Sequence, residues 1–288
     1  MIQAELGSAF VAMRPRQWTK NLLIFAGLIF ARRLDDRTAW LQAVAAFIAY
    51  CAASSASYLL NDVRDAEHDR RHPAKRHRPV AAGRLSERLA LACACLLAIV
   101  ACVVGAALGA WSLTLVVAFL ALQLAYSFGL KRIVGVDLGV IAGLFVIRAV
   151  AGAVAVHVYI SGWLIACTIL LSVFLGLSKR RAELEQVRVG ATEGRTVLQR
   201  YRVDVVERLV VTTATVAFVA YFAYTLLGPT PWMVLTSPFV ALGLRRYVGL
   251  AHRGVLGESP EEILLTDPVI IVAVIGWVAS AAAVLLVT

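Results

Sequence analysis

The sequence predicts an all-α fold, a polytopic bundle of about nine membrane-spanning helices. Three observations carry this. The 288 residues are 60% hydrophobic and 16% charged, whereas a soluble domain is roughly 45–50% apolar and about a quarter charged; the mean hydropathy is +0.80. The apolar excess lies in long runs such as Leu89 to Ala110, Leu113 to Leu130 and Val269 to Val287, each near the ~20 residues that carry a helix across ~30 Å of hydrocarbon. These runs are continuous, without period-two alternation, so helices and not a closed barrel satisfy the backbone in lipid.

Nine spans are expected, at 18–31, 39–60, 89–110, 112–130, 134–156, 160–178, 205–227, 232–250 and 268–287. The first is short and starts at Trp18, so it is expected to tilt or to lie partly in the interface. No span carries the short apolar core and small-residue cleavage site of a signal peptide, and Arg14-Pro15-Arg16-Gln17-Trp18-Thr19-Lys20 reads as a retained anchor. Small residues crowd the second span at Ala52 to Ser57, the third at Gly105 to Ala107 and the fifth at Ala149 to Ala153, which lets helix backbones approach closely. One set of connections is very short, at Gly109 to Ser112, His157 to Ser161 and Gly228 to Trp232. The other set, at 61–88, 179–204 and 251–267, is long and polar. Residues 1–288 therefore read as one integral membrane domain with its chemistry on the long-loop side.

Of the 28 lysines and arginines, 24 fall on the long-loop side, Arg32, Arg33 and Arg37 on the other, and Arg148 inside a span. The positive-inside rule then places the N-terminus and long loops in the cytoplasm and the C-terminus outside. That asymmetry accounts for most of the net charge of +10, and no nucleic-acid partner is inferred. Cys51, Cys93, Cys95, Cys102 and Cys167 all lie in apolar spans without metal-ligand spacing, and read as packing residues. A homo-oligomer is compatible with the sequence but not required by it.

The candidate catalytic centre follows the second span as Asn61-Asp62-Val63-Arg64-Asp65-Ala66-Glu67-His68-Asp69. At about 100° per residue, Asn61, Asp62, Asp65 and Asp69 share one helix face over two turns, while Glu67 points away. Three carboxylates so close repel one another unless a cation sits among them, and hard oxygen ligands suit Mg²⁺, which completes its shell with water and substrate phosphates. Arg71, Lys75, Arg76 and Arg78 follow directly and can clamp a diphosphate; each can equally be a positive-inside residue. His68, His72 and His77 are close by, but imidazole is a poor match for Mg²⁺, and they read as surface residues.

A second polar cluster, Ser178-Lys179-Arg180-Arg181-Ala182-Glu183-Leu184, ends the sixth span. Lys179 and Glu183 are four apart and share a face; cations there suit an anionic lipid headgroup. Asp137 and Arg148 lie in the fifth span, about three turns apart on nearly one face. Ionisable residues inside a span are functional candidates, and Arg148 can meet an anionic substrate or an acid from another helix. Lys20 before the first span, and Tyr126 and Lys131 at the end of the fourth, can line the same cavity.

Nine spans with the Asn61-Asp62-x-x-Asp65-x-x-x-Asp69 motif resemble the UbiA superfamily of intramembrane prenyltransferases, where this motif holds Mg²⁺ against a diphosphate. A second aspartate-rich motif is usual in that superfamily after the sixth span, where this chain has Lys179-Arg180-Arg181-Ala182-Glu183-Leu184. With Arg14 to Asn21 and Gly257-Glu258-Ser259-Pro260-Glu261-Glu262, this basic replacement resembles the decaprenyl-phosphate phosphoribosyltransferase branch. The resemblance implies Mg²⁺-dependent transfer of 5-phosphoribosyl from phosphoribosyl pyrophosphate to a polyprenyl (decaprenyl) phosphate in the cell membrane. Pyrophosphate is released at a cytoplasm-facing site, and the product leads toward cell-wall arabinan. It assigns the metal to Asn61, Asp62, Asp65 and Asp69, and the lipid phosphate to Lys179 and Arg180. The nearest alternative is a prenyl diphosphate donor with an aromatic, quinone or haem acceptor. A transporter using Asp137 and Arg148 is remote, since no internal repeat is visible.

Overall fold

The computed structural model describes residues 2–72, 75–188, 202–228, 230–252 and 260–287. Helix α1 (Ile2–Ala12) leads into a 3₁₀ segment, Pro15–Phe25, and the short α2 (Ala26–Phe30). The long α3 (Arg37–Arg64) and short α4 (Ala66–Arg71) follow, then α5 (Glu87–Ala107), α6 (Ala110–Phe128), α7 (Val136–Ala155) and α8 (Gly162–Arg188). The chain ends with α9 (Val203–Leu227), a 3₁₀ turn at Pro231–Thr236, α10 (Ser237–His252), α11 (Pro260–Thr266) and α12 (Pro268–Val287). Among the described residues, Gly257, Glu258 and Ser259 of the late acidic stretch do not figure.

Seven of these helices are long and apolar enough to cross a membrane, which makes the chain an integral membrane protein. The other two expected spans are not continuous α-helices. The first is an 11-residue 3₁₀ segment followed by a five-residue α-helix, and the eighth a six-residue 3₁₀ turn followed by 16 residues of α-helix. A 3₁₀ helix rises about 2.0 Å per residue against 1.5 Å. The two compound elements therefore rise roughly 30 Å and 36 Å, close to the hydrocarbon thickness. Pro15 and Pro231 each stand at the start of their 3₁₀ stretch, where a missing N–H and fixed φ do no harm.

Neighbouring helices pack in sequence, α3 on α5, α5 on α6, α6 on α7, α7 on α8, α8 on α9, α9 on α10 and α10 on α12. Contact between α12 and α2 closes the ring, with α3 and α7 bracing the 3₁₀ segment from inside. One core cluster lies among α3, α5, α6 and α7 around Tyr50 and Phe119, and a second among α8, α9 and α10 around Phe174 and Tyr247. The small residues of α3 are buried as the sequence required, from Ala49 through Ser57.

Caps fix two helix starts. Asp36 accepts hydrogen bonds from the N–H groups of Thr38 and Ala39 at 2.8 and 3.1 Å, and Asp267 from those of Val269 and Ile270 at 3.1 Å each. Both carboxyls lie below their usual range, Asp36 chiefly through the Ala39 N–H and Asp267 chiefly through the Arg246 guanidinium. A depressed folded-state value stabilises above the unfolded value of about 3.9 and stops doing so as pH falls through the lower folded value, so both caps are intact at neutral pH.

Backbones approach closely where the 3₁₀ segment and α2 meet α7. A Cβ on Gly152 would lie 2.0 Å from the Ile24 carbonyl oxygen, and one on Gly27 2.8 Å from the Ala153 backbone nitrogen. Backbone, not a movable side chain, blocks both. Gly152→Ala should therefore destabilise the protein by about 1–3 kcal/mol. Gly139→Ala, with nothing within 4 Å of its Cβ position, should leave the thermal midpoint in detergent unchanged or slightly raised.

Candidate active site

The helix ring encloses a cavity of about 2050 Å³. The acidic motif enters it from the end of α3, but not as a continuous helical face. Helix α3 stops at Arg64, with Asp65 as its cap at φ −92° and ψ 5°, and the chain restarts as α4. Asn61, Asp65 and Asp69 line the cavity. Asp62 does not: it is 1% exposed and turned into the protein. The expected grouping of Asn61 with all three aspartates is corrected for Asp62, which sits at the edge of the shared face, where Arg14 and Arg78 hold it away from the cavity.

Each aspartate is held by a cation. Arg14 and Arg78 donate to Oδ1 of Asp62, the latter at 3.4 Å, and the same Nη1 of Arg78 donates to Asp69 at 2.6 Å. Lys131, in the turn between α6 and α7, reaches Asp65 at 3.0 Å. Oδ2 of Asp62 is buried without a hydrogen-bond partner. The local arginines took other roles: Arg64 donates to the Ser127 carbonyl and lies 4.6 Å from the Phe128 ring centroid, and Arg70 faces Glu87 at 3.6 Å.

Arg14 was legible only as part of the basic anchor. It sits in the left-handed region at φ 56°, ψ 64°, between α1 and the 3₁₀ segment, 4.9 Å from the Tyr58 ring centroid. No sequence spacing announces its approach to Asp62 from 48 residues away.

Lys20, Arg71, Lys75, Arg78, Tyr126 and Lys131 also reach the cavity wall, as expected, with His68 and His72 beside them. Arg76 is exposed, donates to His77 at 3.3 Å and does not line the cavity. It is removed from the clamp because the 3₁₀ turn Lys75–His77 directs it outward.

From α8, Lys179 and Glu183 line the cavity, and Lys179 has no ion-pair partner among the described residues. Arg180 is 1% exposed and does not line it. Its Nε donates to Asp137 at 2.8 Å, and its Nη1 to Glu183. The expectation that Arg180 touches a substrate phosphate is corrected: one residue on from Lys179 in a helix is about 100° away, facing the core. Arg148 lies at the cavity wall but is 3% exposed. It donates to Asn21 at 2.7 Å and to the Leu144 carbonyl at 3.0 Å, with the Phe119 ring centroid at 4.7 Å. Its partners are an amide and aromatic faces, not an acid, and Asp137 belongs to Arg180, so the two intramembrane charges form no shared path.

Among the described residues no three of His, Cys, Asp and Glu cluster tightly enough to hold a metal ion alone. The donor set does fit an ion shared with a substrate. Mg²⁺ takes one or two carboxylates and fills the rest of its shell with water and phosphate oxygens, and the wall offers Asn61, Asp65 and Asp69.

Removing Arg78, a quarter exposed, leaves the buried Asp69 carboxylate without its donor, a loss of about 1–3 kcal/mol. Arg78→Ala should show a loss of that order in detergent unfolding, and Arg76→Ala should stay within about 0.5 kcal/mol of wild type. Adding Asp69→Asn to Arg78→Ala should recover part of the loss, which a double-mutant cycle would measure.

The model of the UbiA prenyltransferase family matches residues 22–261. The decaprenyl-phosphate phosphoribosyltransferase of Mycobacterium tuberculosis is 34% identical over 284 residues, 94% of this chain and 92% of the relative. The protein of that name from Corynebacterium glutamicum is also 34% identical over 284 residues, 93% of this chain and 83% of the relative. A UbiA homolog from Archaeoglobus fulgidus, solved with GPP and Mg²⁺, matches with a TM-score of 0.76 at 14% identity, over 98% of this chain and 100% of that one. At that identity the likeness is one of fold.

Proposed function

This chain belongs to the UbiA prenyltransferase family, and from that membership we propose that it transfers 5-phosphoribosyl from phosphoribosyl pyrophosphate to a polyprenyl phosphate of the decaprenyl type. The reaction would release pyrophosphate at the cytoplasmic face of the cell membrane, and the product would feed cell-wall arabinan synthesis. The relatives' shared name supports the chemistry. The observation that carries it is Lys179, a cation without an ion-pair partner among the described residues, on the same cavity as Asp65 and Asp69. A cavity of about 2050 Å³ is at least twice the usual ~300–1,000 Å³ ligand pocket, room for two substrates. Its walls grade from the charged end into Ile29, Phe30, Leu171, Val240 and Trp277, a surface for an isoprenoid tail.

In this reading Asn61, Asp65 and Asp69 would hold Mg²⁺, which when bound neutralises negative charge on the pyrophosphate leaving group. Lys131 and Arg78, on the same cavity wall, fix the two carboxylates in place. Lys20, Arg71 and Lys75 add positive potential around the donor's phosphates, and Lys179 draws in the lipid phosphate. An oxygen of that phosphate gives an electron pair to C1 of the ribose as the C1–O bond breaks and its pair leaves on pyrophosphate. The nucleophile is already anionic, so no general base is needed. Holding two anions in line against their repulsion is the main contribution of the cationic wall.

The purified protein, given labelled phosphoribosyl pyrophosphate, Mg²⁺ and decaprenyl phosphate, should move label into the organic phase. EDTA should abolish that transfer, and Asp65→Asn should reduce it by about 10²-fold or more, the scale of losing one preorganised electrostatic group. Activity only on a prenyl diphosphate and an aromatic acceptor would refute the phosphoribosyl reading.

A further inference from the structure

Outside the aspartate motif, Glu183 is the acid that lines the cavity among the described residues. A carboxylate in a site for two phosphorylated substrates repels both of them, so its presence there needs a different ligand chemistry. Its surroundings hold it in one state. Arg180, 1% exposed, donates Nη1 to Glu183 and Nε to Asp137, which is 0% exposed. Asp137 in turn accepts the backbone N–H of Gly135 at 3.1 Å. A buried guanidinium fork between two carboxylates fixes both in place. An ionised carboxylate is an acceptor only. A carboxylate has about four acceptor sites, so Glu183 can accept from a ligand while Arg180 holds it, and a substrate group that supplies donors without negative charge is a vicinal diol.

We propose that Glu183 accepts the ribose hydroxyls of the sugar donor and so selects a phosphoribosyl donor over a prenyl one, with Arg180 and Asp137 as positioning residues that aim it. The inference rests on the phosphoribosyl reading above and deepens it. Lys179 lies one turn back along α8 on the same cavity, so a single helix face would meet the anionic nucleophile and the sugar ring together. A prenyl diphosphate would bring only C–H groups to Glu183. A site built to bind hydroxyls discriminates against a ligand lacking them, because burying the carboxylate under C–H groups removes its solvation and returns no hydrogen bond.

The test separates the sugar from the diphosphate. Binding of phosphoribosyl pyrophosphate and of inorganic pyrophosphate is measured by calorimetry on the full-length protein in detergent with Mg²⁺. Glu183→Ala should weaken phosphoribosyl pyrophosphate by about 10- to 100-fold, the range for a hydrogen bond to a charged group, and change pyrophosphate less than about twofold. Arg180→Lys, which replaces the fixed planar fork by a compact ammonium, should show the same selective loss to a smaller degree. If Glu183→Ala does not fold, Glu183→Gln keeps the shape with a weaker acceptor and should give roughly a 3- to 10-fold loss with the same selectivity. Equal weakening of both ligands would overturn the proposal in favour of a metal or diphosphate role, and no weakening of either would overturn it outright. A wild-type protein that binds pyrophosphate but not the phosphoribosyl compound would locate the failure in the phosphoribosyl reading itself, and the Glu183 assignment would fall with it.

Discussion

Ionised side chains inside a membrane bundle have no water to turn to, and the need to pair them organises the polar end of this protein. Asp62 is paired with Arg14 across 48 residues, Asp65 with Lys131 across 66, and Asp137 with Arg180 across 43. Unpaired, the buried charges of Asp62, Asp137 and Arg180 would each cost several kcal/mol. Together they tie the N-terminal segment, α3, the turn after α6, α7 and α8 to one another. The same ties hold the carboxylates of the cavity wall in defined positions, so the interactions that make the charges tolerable also shape the site.

Much of this was legible from residue order alone. Continuous apolar runs located the seven long helices, since hydrocarbon thickness sets a length that few soluble segments match. Asn61, Asp65 and Asp69 announced themselves by spacing, and Lys179 and Glu183 by sharing a face four residues apart. The misses have one cause: periodicity says which residues share a face, not which partner from another element each will find. Asp62 and Asp65, about 60° apart on a helix, share a face by spacing, yet Arg14 and Arg78 hold Asp62 in the protein while Asp65 reaches the cavity. Arg180 belonged to a basic cluster in sequence, yet a single step around α8 carries it from the cavity to the core. Arg14 could not be found by spacing, because its partner lies in another element and its own backbone is left-handed.

The two halves of the bundle divide the labour. The half built on α3, α6 and α7 carries the oxygen donors and the cations that hold them. The half built on α8, α9, α10 and α12 supplies Lys179, Glu183 and most of the apolar wall. Small residues let the first half pack tightly, backbone against backbone at Gly27 and Gly152, whereas aromatic rings such as Tyr221, Tyr224 and Trp277 fill the second. Trp277 donates to the Tyr221 hydroxyl at 2.8 Å, which keeps these large side chains in register at the cavity's edge.

The 3₁₀ segment has its own geometric consequence. With three residues per turn, side chains at i and i+3 stand directly above one another, and Gln17, Lys20 and Leu23 all line the cavity. They form a straight rail, polar at one end and apolar at the other, with Lys20 bonded to Gln17 at 2.6 Å. On an α-helix the same three positions would spiral away by about 60° at each step. A ligand with a charged head and a greasy tail can thus be read along one line. The alignment is brittle in a way α-helical stripes are not: inserting one residue would swing every following side chain by about 120° and erase the rail at a stroke.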